Sequence, residues 1–273
     1  MSESGKRLVK RKKTAQRFSR LEATGDLFDR WLEVRDRTIR RHQKILLREK
    51  DGVRDALLDD LRNVVRSHYV SPEITARRLA ELGALRTAAL LRERLPAGKR
   101  SRSGELGEIL ATEFVTRKLA YEVPILRLQW KDGREMALRG DDVVAFHKDA
   151  NDGLSFLKGE AKSRARLTPD VVRQAADSLD QDHGRPGRHS VLFVAERLRE
   201  QGADEIAVLL ENAVLNSFSG CVVEHLLFTF SGNSPDVHLS NHLKALRSGR
   251  RRYAVGLRID DHGDFIQRIY EDL

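Results

Sequence analysis

The sequence predicts an α/β fold: a helical N-terminal part followed by a mixed-sheet core flanked by helices. Three observations carry that expectation. Apolar residues recur at steps near 3.6 ahead of Leu95, as Val53, Leu57, Leu58, Leu61, Val64 and Val65 show. A short basic run rich in chain breakers, Pro96 to Ser103, interrupts this pattern. After Gly104, short β-rich runs bounded by turn residues alternate with helical segments, the order of a sheet covered by helices.

Residues 1–14 carry Lys6, Arg7, Lys10, Arg11, Lys12 and Lys13 with few apolar groups, and read as a basic disordered arm, either a solvated tail or a contact to DNA. Residues 15–95 read as helical. Within them Ser71-Pro72-Glu73 marks a helix start: a hydroxyl to cap it, a proline at its first position and an acid in its first turn. The helix opened there carries Leu79, Leu82, Leu85, Leu90 and Leu91, and its expected stop is Pro96-Ala97-Gly98. Residues 96–103 form the expected linker to a domain spanning 104–273. That domain starts with a helix from about Glu105 to Leu119. Strands are expected at Val123 to Trp130, Met136 to His147 and Leu154 to Lys162. Thr168-Pro169-Asp170 opens a helix to about Leu179, and His189 to Ala195 reads as a buried strand. A helix over Ala203 to Phe218 and strands over Cys221 to Phe230 and Tyr253 to Ile259 complete the series.

Composition narrows the function. The 273 residues are 40% hydrophobic and 33% charged, which supports one large domain or two small ones. No long apolar run or leader pattern points to a membrane span or secretion, and the single cysteine, Cys221, excludes an internal disulfide and a cysteine-cluster zinc site. A reducing cytoplasm is the expected setting. The net charge of +9 favours a polyanionic partner such as nucleic acid.

One constellation carries chemistry. Glu160 and Lys162 bracket Ala161 on an expected strand, so both project from one face. Asp141 and Asp142 lie on the preceding strand, one short turn away, and Glu108 continues the Ala111, Val115, Leu119 stripe of the preceding helix. Phosphodiester hydrolysis asks for these types. Mg2+ or Mn2+ prefers hard oxygen ligands, keeps several waters, acidifies one of them and offsets charge on the transition state. Asp142 and Glu160 are expected as metal ligands, Glu108 as an outer or second carboxylate, and Lys162 as the water-positioning group. Neighbouring residues on a strand point oppositely, so Asp141 and Asp142 face different ways and Asp141 stands as the alternative ligand.

This set resembles the PD-(D/E)XK nuclease superfamily, whose strand acid falls on Asp142, whose Glu-X-Lys falls on Glu160-Ala161-Lys162, and whose helix acid falls on Glu108. The resemblance implies a restriction-endonuclease-like core and metal-dependent endonuclease activity on DNA. A narrower resemblance covers about Leu46 to Leu179. Tyr69-Val70-Ser71-Pro72, then Gly104-Glu105-Leu106-Gly107-Glu108-Ile109-Leu110, Arg139-Gly140-Asp141-Asp142 and Gly159-Glu160-Ala161-Lys162-Ser163 look like the HamA family of the Hachiman anti-phage defence system. That resemblance implies an effector nuclease working with a superfamily 2 helicase partner.

Other signals carry less. A Glu-X-Lys triplet is ordinarily a solvated strand face, and Glu105 reads as an acid favouring a helix N-terminus. Gln174, Arg164 and Arg166 either approach the site or stay solvated. The basic run Arg247 to Arg252 either binds nucleic acid or solubilises a turn. No close-spaced histidine metal pattern such as HEXXH, nucleophile elbow or glycine-rich phosphate loop is present. A non-catalytic DNA-binding or adaptor subunit and an RNA-processing nuclease are the competing readings.

Overall fold

In a computed structural model, residues 25–119, 121–136, 139–149, 153–246, 249–271 and 273 are described. The basic arm expected over residues 1–14 lies outside them. The fold is α/β. A six-stranded mixed sheet runs in the order β1-β2-β6-β5-β4-β3, made of β1 (Leu32–Ile39), β2 (His42–Glu49), β3 (Val143–Lys148), β4 (Leu154–Arg164), β5 (Val222–Ser231) and β6 (Arg252–Arg258). The four central strands β2, β6, β5 and β4 are mutually parallel, and β1 and β3 pair antiparallel at the two edges.

Ten α-helices flank the sheet among the described residues: α1 (Leu27–Trp31), α2 (Arg54–Tyr69), α3 (Pro72–Leu82), α4 (Ala84–Arg92), α5 (Lys99–Lys118), α6 (Pro169–Asp180), α7 (Arg188–Glu200), α8 (Asp204–Leu215), α9 (Asp236–Ala245) and α10 (His262–Glu271). Side chains alternate across the strands, and the two faces are covered differently. Ile45, Val143, Ala145, Leu157, Phe228 and Val255 pack beneath α1, α2, α5 and α10. Phe146 and Phe156 pack beneath α7 and α8, while Leu227 and Ala254 pack beneath α6 and α9. None of the described helices is long and apolar enough to cross a membrane.

Four expectations are corrected. The region 15–95 is not helical throughout, because Leu32–Ile39 and His42–Glu49 form a hairpin whose second strand pairs with β6. Its turn is Arg40-Arg41, with Arg40 at φ +57, and β1 is charged and exposed, as suits an edge strand. Neither feature resembles the usual Asn-Gly hairpin signal. The expected linker 96–103 contains the start of α5 at Lys99, and residues on both sides of it share one core. The leucine-rich helix breaks at Gly83 into α3 and α4. Val123 to Trp130 forms no strand; it holds a 3-10 turn over Arg127–Trp130, and β3 begins only at Val143.

A fifth correction is the largest change of element type. His189 to Ala195 is not a strand but the front of α7. A short apolar run fits a buried strand or a buried helix equally well. Here burial follows helical spacing, at Ser190, Val191, Val194, Ala195 and Leu198, and continues past the apolar run.

Buried histidines tie the sheet to its helices. Arg252, expected in a solvated basic run, is instead buried: it donates to His225 Nδ1 at 3.0 Å, to His242 Nε2 at 2.9 Å and to Asp180 at 2.8 Å. His225 Nε2 lies 2.8 Å from the Gly184 carbonyl, so the ring is neutral and donates there. His262 Nε2 lies 3.0 Å from Ser163 Oγ. Burial pulls the pKa of both His225 and His262 from 6.5 down to about 4. Above pH 6.5 neither state binds the proton; as pH falls from 6.5 to 4 the unfolded chain takes it up first. Stability is therefore lost across that window, by at most roughly 3 kcal/mol per histidine. The melting temperature is expected to fall steeply between pH 6.5 and 4.5, and less steeply in His225→Asn. A flat profile, or an unchanged slope in the variant, would count against this.

Candidate functional site

The candidate site lies where the edge strand β3 leaves β4. Register pairing between them ends at Val143 and Gly159, so β4 runs on without a β3 partner from Glu160. An amide left unpaired at that edge costs free energy when shielded from water. Asp142, the residue before β3, supplies the acceptor: its Oδ2 takes the Ala161 N–H at 2.9 Å. This bond sets the Asp142 carboxyl between Glu160 and Lys162. Those two side chains share one face of β4, as strand alternation requires, and form an ion pair.

Asp141 goes elsewhere. Its Oδ2 accepts the Gly187 N–H at 2.7 Å, its own N–H donates to Ser190 Oγ at 3.0 Å, and its Oδ1 lies 3.6 Å from Lys158 Nζ. It thus serves the N-terminus of α7, where a negative charge is favoured. Of the two acids left open by the sequence, Asp142 is the one beside Glu160 and Lys162. The swing between them occurs after Gly140, at φ +103, where an added Cβ would sit 2.3 Å from Ser190 Oγ. Both the backbone angle and that approach disfavour any other residue. Gly140→Ala is expected to lose about 1–3 kcal/mol of stability and to displace Asp142. Thermal melting and the chemical shift of the Ala161 amide would report it; an unmoved amide signal would contradict it.

Glu108 arrives from α5. That helix packs so closely on β4 that a Cβ at Gly107 would stand 3.2 Å from Ser163 Cβ, which brings the next residue to the sheet edge. One turn earlier, Glu105 has another role. It is buried, paired with Lys131, and accepts a 2.7 Å hydrogen bond from Tyr69 Oη, which itself bonds Tyr270 Oη at 2.8 Å. The sequence reads Glu105 as an acid favouring a helix N-terminus; the structure makes it the centre of a buried polar network joining α2, α5, α10 and the loop at Lys131.

The electrostatics of the site follow from crowding. Burial raises the Asp142 pKa, and the charge of Glu160 adds to it, against the Ala161 hydrogen bond and the Lys162 and Arg127 charges. Burial also raises that of Glu108, and the charge of Asp142 adds to it. The site therefore gathers carboxyls that resist ionising together, which a bound cation would relieve. Sequence reasoning missed Arg127. Its guanidinium donates to the carbonyls of Asp141 and, at 3.2 Å, Arg139, clipping the loop that carries Asp142. It lay in an expected strand, and no local pattern marks such a contact.

A cavity of about 490 Å³ opens beside these groups, bounded by Glu108, Asp142, Arg127, Trp130, Phe193 and Arg197 among others. Gln174, Arg164 and Arg166 are exposed. Among the described residues no three His, Cys, Asp or Glu side chains form a ready metal cage. The donor set of Asp142 and Glu160 nonetheless fits a hard cation, because Mg2+ is held by one or two carboxylates and completes its shell with waters and substrate phosphate.

Residues 25–273 match the family described as HamA. A curated relative, the Hachiman protein HamA of Bacillus cereus, is 24% identical over 177 residues, which cover 64% of this chain. The match spans 62% of that relative's length. With nearly all of the described fold inside the family match, the chain belongs to the HamA family.

Proposed function

We propose that this chain is a metal-dependent DNA endonuclease of the PD-(D/E)XK kind, the effector of an anti-phage defence system, with a superfamily 2 helicase as its partner. The observation that carries the reading is the meeting of Asp142, Glu160 and Lys162 at the open edge of β4, with Glu108 lining a cavity beside Asp142. Membership of the HamA family and a relative named as a Hachiman protein support the defence role. The net charge of +9 suits a nucleic-acid substrate.

Asp142 and Glu160 would hold Mg2+ or Mn2+. When bound, such an ion supplies an acidified water and neutralises charge building on the phosphoryl oxygens. Lys162 is paired with Glu160, so its ammonium would be placed to orient an attacking water and to balance transition-state charge. Arg127 fixes the loop that presents Asp142. Glu108, whose pKa is raised by burial and by the charge of Asp142, would add a further carboxyl to the ion's surroundings.

The test is cleavage of labelled duplex DNA, single-stranded DNA and RNA by the purified chain, with Mg2+, Mn2+ or a chelator, alone and with its helicase partner and ATP. DNA cleavage that needs the divalent ion is the expected result. A second reading is a non-catalytic DNA-binding subunit, which the net charge of +9 suits equally well. That reading requires salt-sensitive DNA binding with no cleavage in any arm.

A further inference from the structure

The cavity beside the carboxyls is larger and more aromatic than phosphate hydrolysis needs. Trp130, from the 3-10 turn, and Phe193, from α7, meet edge to face at 6.4 Å with planes at 85°. Arg197 lies over both rings, 4.6 Å from the centroid of Trp130 and 5.6 Å from that of Phe193. Its Nε is buried without a hydrogen-bond partner. All three line the cavity that Glu108 and Asp142 also line. Thr112, His68 and Ser190 add polar groups, and Ile109, Leu128 and Val194 supply apolar wall. The volume of about 490 Å³ lies within the range of sites that take small organic ligands.

Flat aromatic rings with an arginine stacked on them, next to groups that act on a phosphodiester, are the chemistry that receives an unpaired base. A base inside a continuous duplex is stacked and paired and cannot enter a side cavity without being flipped out. We propose that this cavity takes an unstacked nucleobase of the strand being cut, so that the substrate at the site is a single-stranded or flipped-out nucleotide rather than continuous duplex. The proposal rests on the nuclease reading for the identity of the adjoining site, but the base pocket stands on its own residues. A coupled helicase, which makes single strands, would supply such a substrate.

The chain carries its own reporter. Of its two tryptophans, Trp31 is fully buried between Phe28 and Phe265, whereas Trp130 lines the cavity. In a Trp31→Phe full-length chain, Trp130 emission is read in metal-free buffer against a single-stranded DNA oligonucleotide, its RNA counterpart, the matched duplex and a free mononucleotide. Saturable quenching by single strands is expected at an affinity at least tenfold above that for the duplex. Phe193→Leu should weaken that binding about tenfold, since stacking on one ring contributes roughly 5- to 150-fold per base. Lys162→Ala should leave the quenching in place. If Phe193→Leu does not fold, Trp130→Phe replaces it, and anisotropy of a labelled single strand should show binding about tenfold weaker than in the chain that keeps Trp130.

Equal response to duplex and single strands overturns the proposal. So does single-strand binding, seen by anisotropy, that leaves Trp130 emission unchanged. Quenching by the free mononucleotide alone would make the cavity an effector site and likewise overturn it. The two readings separate cleanly. A chain that cleaves DNA with a silent Trp130 loses the base pocket only. A chain that never cleaves yet shows strand-selective quenching keeps the pocket and loses the nuclease.

Discussion

Lys162→Ala is expected to lower metal-dependent DNA cleavage by about 10²–10⁴-fold, the range for removing a group that orients or protonates at the reacting centre. The loss should fall on turnover rather than on DNA affinity, because one ammonium among 50 lysines and arginines contributes little to binding. Stability should hardly change. Lys162 and Glu160 retain 22% and 14% side-chain exposure, so their ion pair is not deeply buried and its removal leaves no stranded charge. Lys162→Arg should not restore the rate, since a planar guanidinium presents its donors in a different geometry from a compact ammonium. Single-turnover rates beside melting temperatures make the comparison. Full activity in Lys162→Ala would remove the assigned role.

Lys131→Ala is expected to be among the most destabilising single changes in the molecule. Lys131 and Glu105 are both buried and paired, and removing the cation leaves Glu105 with only the Tyr69 hydroxyl as a donor. Breaking one side of a buried pair costs about 3–5 kcal/mol. At roughly 2–4 °C per kcal/mol for a chain of this size, the melting temperature should drop by about 10 °C. Burial already raises the Glu105 pKa, so the stranded acid would hold its proton to higher pH and the deficit would shrink as pH falls. Adding Glu105→Gln to Lys131→Met should recover most of the loss, because no buried charge then remains. Failure of that double change to recover stability would mean the network acts through geometry rather than charge. Glu108 sits one turn along the same helix, so cleavage should weaken together with folding.

How much of this was legible in the sequence differs by element. Ser71-Pro72 gave a true helix start because capping is local: Ser71 Oγ accepts the Ile74 N–H. β5 was legible because β-branched and aromatic residues fill its run, and β4 because a polar turn marks the chain just before it. The β1–β2 hairpin was hidden by its charge, since an edge strand repels other edges with the same residues that suggest a solvated helix. The α7 helix was hidden because HSVLFVA carries no period that separates strand from helix over so few residues. At the site, the spacing of Asp142, Glu160 and Lys162 could be read from strand alternation. The choice between Asp141 and Asp142 could not, because it depends on Gly187 and Ser190 from α7, an element the sequence did not reveal. Arg127, Trp130 and Phe193 join the site through tertiary packing, and nothing in their own neighbourhoods announces it.

The most direct test is Mn2+ binding to the Lys162→Ala chain in the presence of DNA, followed by calorimetry and by electron paramagnetic resonance. In that background the DNA should remain uncut while the carboxyls keep their places. The predicted result is saturable Mn2+ binding that weakens at least tenfold when Asp142→Asn and Glu160→Gln are added. Equal Mn2+ affinity with and without those two carboxylates would contradict the assignment of Asp142 and Glu160 as metal ligands.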